Sequence, residues 1–268
     1  MEKIGFIGGG NMARAIIGGL VQMMPASSVH VTDHHAEKRE GLSRDFGVVA
    51  HDSTGSWVTG MDLVVLAVKP QTMKAACAEL VPWLNRKGAA LSIAAGIESD
   101  TICDWLWGYP VMRAMPNTPA KVRAGVTGYW IPPRYPEELA SLVVRMFSAC
   151  GDVIEVKEES QLDLVGAIPG SGPAYVFRFM EAFVRAAMRR GIPEEAAVRM
   201  VVGTFFGAAE LARLSGEPLA QLRESVTSRG GTTAKALEVL ESRGIDAAAD
   251  EALEAALKRT EELKTLFL

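Results

Sequence analysis

Lys3-Ile-Gly-Phe-Ile-Gly-Gly-Gly-Asn-Met-Ala13 decides how this chain reads. A short apolar run ends in three glycines, and Gly8, Gly10 and Ala13 fit the spacing G-x-G-x-x-A. The residues from about Asn11 to Met24 suit a helix. A strand that turns on glycine into a helix has a physical use. Gly8 can take the tight turn, Gly10 carries no Cβ and lets a pyrophosphate approach the backbone, and Ala13 lets the helix lie close on the strand. The first N–H groups of the helix and its positive dipole end then meet the phosphates. The stretch predicts a dinucleotide cradled by Gly8, Gly10, Asn11 and Met12.

Working outward, strand and helix signals alternate through the first half. Ser28–Thr32, Asp62–Val68, Ala89–Ala95 and Pro110–Met115 read as buried strands, with weaker ones near Val48-Val49, Gly125–Ile131 and Val153–Val156. Buried apolar runs that alternate with helices imply βαβ units and a parallel sheet covered on both faces. From about Ser160 the composition turns helical. Ala174–Arg190, Glu194–Ser215, Leu219–Val226, Thr232–Arg243 and Ala247–Phe267 are rich in alanine, leucine, glutamate and arginine. The expected architecture is α/β: an N-terminal Rossmann dinucleotide-binding domain over 1–158, then an all-helical dimerisation domain over 159–268. The dimer is inferred from Met200–Ala209, which is nearly uncharged all round and must be buried on most sides. A second copy is the simplest cover.

Ligands on an open parallel sheet sit beyond the carboxyl ends of its strands. That rule points to Ala67-Val68-Lys69-Pro70, to Ala95-Gly96 and to Asn117 in Met115-Pro-Asn-Thr-Pro119. Lys69 could bond cofactor ribose or phosphate, and Asn117 could orient the nicotinamide end. Asp33 closes the second strand, where an acid can accept the ribose 2′-hydroxyl of NAD and repel the 2′-phosphate of NADP. His34, His35, Lys38 and Arg39 crowd the same turn and favour a phosphate. The two readings conflict, and the residues leave NADP(H) and NAD(H) both open as the cofactor. Asp33 acting only as a cap for the next helix is the plain structural reading.

In the helical half, Val226-Thr-Ser-Arg-Gly-Gly-Thr-Thr-Ala-Lys235 sets two glycines before a helix whose first residues are threonines. The N–H groups of Gly231, Thr232 and Thr233 would form an anion site suited to a small carboxylate. Gly170-Ser-Gly-Pro-Ala-Tyr175 is a second glycine turn before a helix, and Ser171 could line the same cleft.

Among the 268 residues the net charge is only −4, with 49% hydrophobic and 22% charged residues and no block of like charge. No basic face is written for nucleic acid. No stretch approaches the ~20 apolar residues of a membrane span, and no leader precedes the first strand. Cys77, Cys103 and Cys150 are far apart, and His30, His34, His35 and His51 make no metal pairing, so no metal site is expected. A cytoplasmic protein with reduced thiols follows as the expectation.

Phe6-Ile-Gly-Gly-Gly-Asn-Met12, Ala67–Pro70, Met115–Pro119, Gly170–Tyr175 and Val226–Thr233 together resemble the pyrroline-5-carboxylate reductases along nearly the whole chain. The resemblance implies reduction of 1-pyrroline-5-carboxylate, a cyclic imino acid, to L-proline with NAD(P)H, the last step of proline biosynthesis. It implies a homodimer or higher homo-oligomer with the active site at the dimer interface. Carried over residue by residue, Ser171, Ser228, Gly230, Gly231, Thr232 and Thr233 would hold the substrate, and Thr233 would be the catalytic residue that bonds the ring nitrogen. Arg229 departs from the proline common at that place, and Asp33 from the small polar residue of NADPH-preferring members. A β-hydroxyacid dehydrogenase would need a lysine soon after the Gly170–Val176 turn, and none follows until Lys235. A non-catalytic dinucleotide-binding regulator would have no use for Gly230–Thr233.

Overall fold

The computed structural model describes residues 2–85, 87–132, 135 and 137–267. Strand β1 (Ile4–Ile7) is buried along its whole length. It pairs in parallel with β2 (Val29–Thr32) on one side and β4 (Leu63–Leu66) on the other. With β3 (Val49–His51), β5 (Ala89–Ser92), β6 (Val111–Met115), β7 (Gly125–Trp130) and β8 (Gly151–Glu155), the sheet order is β3-β2-β1-β4-β5-β6-β7-β8. The order reverses direction beside β1, and that switch point opens the crevice where this fold takes its ligands.

Both faces are covered, which is why the strands read as unbroken apolar runs. On one face Ile4 and Phe6 pack with Ile16 and Ile17 of α1 (Asn11–Leu20) and with Met146 and Phe147 of α5 (Glu137–Ser148). On the other, Ile7, Val64 and Leu66 pack with Met73 and Leu80 of α3 (Pro70–Leu80) and Ile102 of α4 (Ser99–Trp105). Helix α2 (Ala36–Phe46) buries Leu42 and ends on Gly47 in the left-handed region. The sheet departs from the all-parallel expectation at one seam. Strand β7 runs antiparallel to β6, and β8 follows β7 in parallel. Direction is set by the short turn Thr118–Val122 between them, too short for a parallel crossover.

The chain continues through α6 (Leu162–Val165) and a π-helical turn, Gly166–Gly170, with Pro169 inside it. Then follow α7 (Gly172–Met188), α8 (Glu194–Ser215), α9 (Leu219–Ser225), α10 (Thr232–Ser242) and α11 (Ile245–Phe267). Two compact units result: Met1–Ser171 with Ala256–Leu268, and Gly172–Ala255. The first compact unit runs on to Ser171 because α6 and the π-turn are tied to the sheet. Asn117 bonds the carbonyl of Pro169, and Lys264, 16% exposed in its side chain, bonds Asp163 at 2.6 Å.

In the second unit α7 and α8 pack as a pair, with Phe183 edge-on to Phe205. Ala197 is the one buried residue among those described in α7 to α10. Phe206 is 70% exposed, and Met200, Val202, Leu214 and Leu219 are exposed as well. An exposed apolar surface of this extent marks an interaction face. Among the described residues no helix is long and apolar enough to cross a membrane, and no cluster of acidic, histidine or cysteine side chains could hold a metal ion.

Candidate active site

The glycine turn is built as its spacing predicts. Gly8 sits at φ +104°, and a Cβ there would lie 2.5 Å from the carbonyl oxygen of Ala67. Its N–H bonds the carbonyl of Thr32, which ties the turn to the end of β2. Helix α1 starts at Asn11 with no side-chain cap and no acidic residue in its first turn. A Cβ on Gly10 would meet no atom within 4 Å. Open space therefore lies before an uncapped helix start, and a pyrophosphate fits both features. Ala13 is buried against the core, and Met12 is packed beside it.

Asp33 does something the spacing alone does not reveal. Its Oδ2 accepts the Gly9 N–H at 2.8 Å, so the acid straps the glycine turn to the end of β2. Its Oδ1 accepts both the backbone N–H and the ring Nδ1 of His35, each at 2.9 Å. Burial opposes its ionisation, yet the amides of His35 and Gly9, the His35 ring and the Lys38 ammonium outweigh that and hold its pKa below the usual value. The helix that follows is capped by the His35 backbone rather than by Asp33. Beside Asp33 lies a cleft of about 160 Å³, lined by Gly8, His34, Asp52, Ser53, Thr54 and Thr72 among others. The loop after β3 carries Asp52, Ser53 and Thr54. Its only sequence signal is a polar cluster after a weak strand, and the sequence reading passes over it. Trp57 holds the loop by donating to the Ser53 carbonyl, and His51 stacks on Trp57 with ring centroids 4.4 Å apart.

At the other strand ends, Ala67, Val68 and Pro70 are half-buried and Lys69 is exposed, with its carbonyl closing the first turn of α3. Ala95 is exposed and Gly96 is buried at φ +73°. Asn117 is 6% exposed, and its amide makes two bonds. Nδ2 donates to the Pro169 carbonyl at 2.9 Å, and Oδ1 accepts the Val126 N–H at 2.8 Å. These two bonds brace β7 against the π-turn. Behind β6, Arg113 is 2% exposed and bonds Glu159 at 2.8 Å. Glu159 also accepts the N–H and the hydroxyl of Ser99 at the start of α4. A lone arginine in an apolar strand is the signal that would have disclosed this pair.

In the second unit, Ser228–Gly231 closes a turn through the Gly231 N–H to the Ser228 carbonyl at 3.0 Å. Gly230 is left-handed at φ +71°, as the third residue of a type II turn requires. A Cβ on Gly231 would fall 2.3 Å from Ser228 Oγ, so a side chain there would force the Ser228 hydroxyl out of its present position. This corrects one expectation: Gly231 spends its N–H on the turn and does not offer it to an anion. The helix start itself is uncapped by any side chain and has no acid in its first turn, which leaves Thr232 and Thr233 to present their N–H groups and hydroxyls. Thr232, Ser228 and Gly230 are exposed and Thr233 is half-buried. Ser171, in the first unit, bonds back to the Gly166 carbonyl through both its N–H and its hydroxyl, which closes the π-turn.

Sequence models of two families match the chain. One, for pyrroline-5-carboxylate reductase dimerisation, covers residues 159–263. The other, for NADP oxidoreductases that are coenzyme F420-dependent, covers residues 3–96. The pyrroline-5-carboxylate reductase of Pseudomonas aeruginosa is 40% identical over 97% of this chain and 96% of its own. The chain belongs to the pyrroline-5-carboxylate reductase family. The solved reductase of Coxiella burnetii superposes with a TM-score of 0.93 at 38% identity, over 98% of each chain. The Plasmodium falciparum enzyme, solved with NADP bound, gives 0.85 at 25% identity, over 98% of each chain. Family membership makes the exposed face of α7 and α8 part of a dimerisation domain, and the chain a homo-oligomer and an NADP-binding oxidoreductase.

Proposed function

We propose that this chain reduces 1-pyrroline-5-carboxylate to L-proline with NADPH, as a homodimer or a multiple of it. What carries the reading is the pair of uncapped helix starts, Asn11 and Thr232, each led by glycine and each in a chain that matches the reductases end to end. The first suits a pyrophosphate, and the second suits a carboxylate.

When bound, the reduced nicotinamide supplies a hydride. Gly8, Gly10, Asn11 and Met12 hold the dinucleotide at its phosphates, and Ala67–Pro70 and Ala95-Gly96 border it at the strand ends. Asp33 and Asn117 act by fixing the glycine turn and the π-turn. In the second unit the N–H groups of Thr232 and Thr233 and the Ser228 hydroxyl take the substrate carboxylate, on a turn shaped by Gly230 and Gly231. Thr233 Oγ accepts the N–H of the protonated imine. An imine nitrogen carries its proton more readily than a ketone oxygen, so a neutral hydroxyl suffices and the residue contributes orientation. Because the nitrogen already carries its proton, reduction of the imine to a secondary amine would ask no further acid of the protein. Ser171 borders the substrate in the same reading.

The test is a purified chain given NADPH and 1-pyrroline-5-carboxylate, with loss of nicotinamide absorbance and appearance of proline followed together. Turnover matched by proline is expected. Absence of both with a folded, NADPH-binding protein overturns the assignment.

A further inference from the structure

We propose that Lys38 selects NADP over NAD in this chain, and that Asp33 is a positioning residue for the glycine turn rather than the acceptor of a ribose hydroxyl. The inference rests on the reading that the glycine turn holds a dinucleotide.

A carboxylate offers about four acceptor positions. Asp33 has committed three of them, to the Gly9 N–H, the His35 N–H and the His35 ring. Its side chain is only 10% exposed, so it is poorly placed to take the two hydroxyls of a ribose. Its charge is also matched. The Lys38 ammonium stands 3.6 Å from Oδ2, and Arg39 donates to the Asp33 carbonyl with one nitrogen and to Asp52 with another, at 2.8 and 2.7 Å. Asp33 and Asp52 are thus each matched by a cation, while the third acid of the cleft, Glu79, is exposed to solvent.

The cations differ in what they have left. Arg39 is 14% exposed in its side chain and held at both ends. His35 turns its Nδ1 to Asp33. Lys38 is 45% exposed on a flexible stem, and its ammonium, 3.4 Å from His35 Nδ1 and 3.6 Å from Asp33 Oδ2, keeps at least one of its three donors for a further acceptor. In this fold the acid at the end of the second strand marks the adenosine ribose. A cation within 4 Å of that acid marks the place of a 2′-substituent. Ser53 and Thr54 line the same cleft and add hydroxyls.

Binding of 2′,5′-ADP and of 5′-AMP to wild type, Lys38→Ala and Lys38→Arg is measured by calorimetry, and kcat and KM are measured with NADPH and NADH. Lys38→Ala should weaken 2′,5′-ADP by about tenfold and raise KM for NADPH to match, as loss of one half-exposed charge-assisted phosphate contact. Values for 5′-AMP and NADH should move less than about twofold on the same ground. Lys38→Arg should restore most of the loss, and kcat should stay put. Equal losses for both nucleotides would assign Lys38 a merely structural role, and no loss for either would remove it; both overturn the proposal. Failure of wild type to bind either nucleotide would instead overturn the cofactor reading beneath it.

Discussion

Replacing Glu159 with alanine measures how far the Rossmann unit depends on the charge pair behind β6. Arg113 is 2% exposed, and its one described ionic partner is Glu159 at 2.8 Å. Its second terminal nitrogen is buried without a partner among the described residues. Without the carboxylate, a guanidinium remains in the core with no counter-charge. Breaking a buried pair in this way costs about 3–5 kcal/mol. Ser99 loses its acceptors for both N–H and hydroxyl at the start of α4, a further loss of roughly 1 kcal/mol. At about 2–4 °C per kcal/mol for a domain of this size, Tm should fall by roughly 10–20 °C. Circular dichroism melts at one fixed protein concentration read the change, since oligomers melt with concentration. The double replacement Arg113→Met with Glu159→Leu should recover most of the loss, because it leaves no charge behind. A single variant within about 1 kcal/mol of wild type, or a double variant no better than the single, would refute the reasoning.

Thr233→Ala should lower kcat for imine reduction by roughly 10- to 100-fold, about 1.4–2.7 kcal/mol of barrier, while Thr233→Ser keeps most of the rate; unchanged steady-state kinetics would remove the hydroxyl from the mechanism. Arg229→Pro should raise stability by about 0.4–1 kcal/mol, because proline suits the second position of a turn whose third residue is left-handed; a lower melting point would show that Arg229 holds a conformation proline cannot. Phe206→Glu, on a side chain 70% exposed in the single chain, should split the oligomer, and an unchanged sedimentation coefficient would mean that this face is not the one covered. Burial lowers the pKa of both His30 and His51, which share a 2.8 Å hydrogen bond, so the folded chain favours neutral rings. Their contribution is complete above about pH 6.5, the unfolded value, and is lost as pH falls through the lowered values. His51→Phe should flatten the acid limb of a stability-versus-pH curve, and an unaltered slope would count against the pair.

The sheet was legible where burial leaves an unbroken apolar run, as in Leu63–Leu66 and Ala89–Ser92, and the glycine turn was legible because Gly8 and Gly10 have geometric duties no other residue meets. Strand direction was not. The residues of Gly125–Trp130 would suit either sense, and only the brevity of the Thr118–Val122 turn makes β7 antiparallel. The π-turn was hidden for a similar reason: Gly166–Gly170 reads as a loop until Asn117 and Ser171 tie it down. At the candidate site, residue type named the participants but not their partners. Asp33 was read by its place at the end of the second strand, and its bond to Gly9 depends on a carboxylate turned inward, which position in the sequence does not encode. Gly231 was read as a donor because it precedes a helix, whereas the turn before that helix consumes its N–H.

The last helix starts in one unit and finishes in the other, since Ala256–Leu268 rejoins the residues before Gly172 and Lys264 clasps Asp163 there. Covalently, the helical unit is therefore an insertion with two junctions, and the nucleotide-binding part is a discontinuous polypeptide. A stop codon after Ser171 would remove the closing segment and leave Asp163 without its cation. Anyone dissecting the chain should rejoin 1–171 to 256–268 through a linker instead of cutting once.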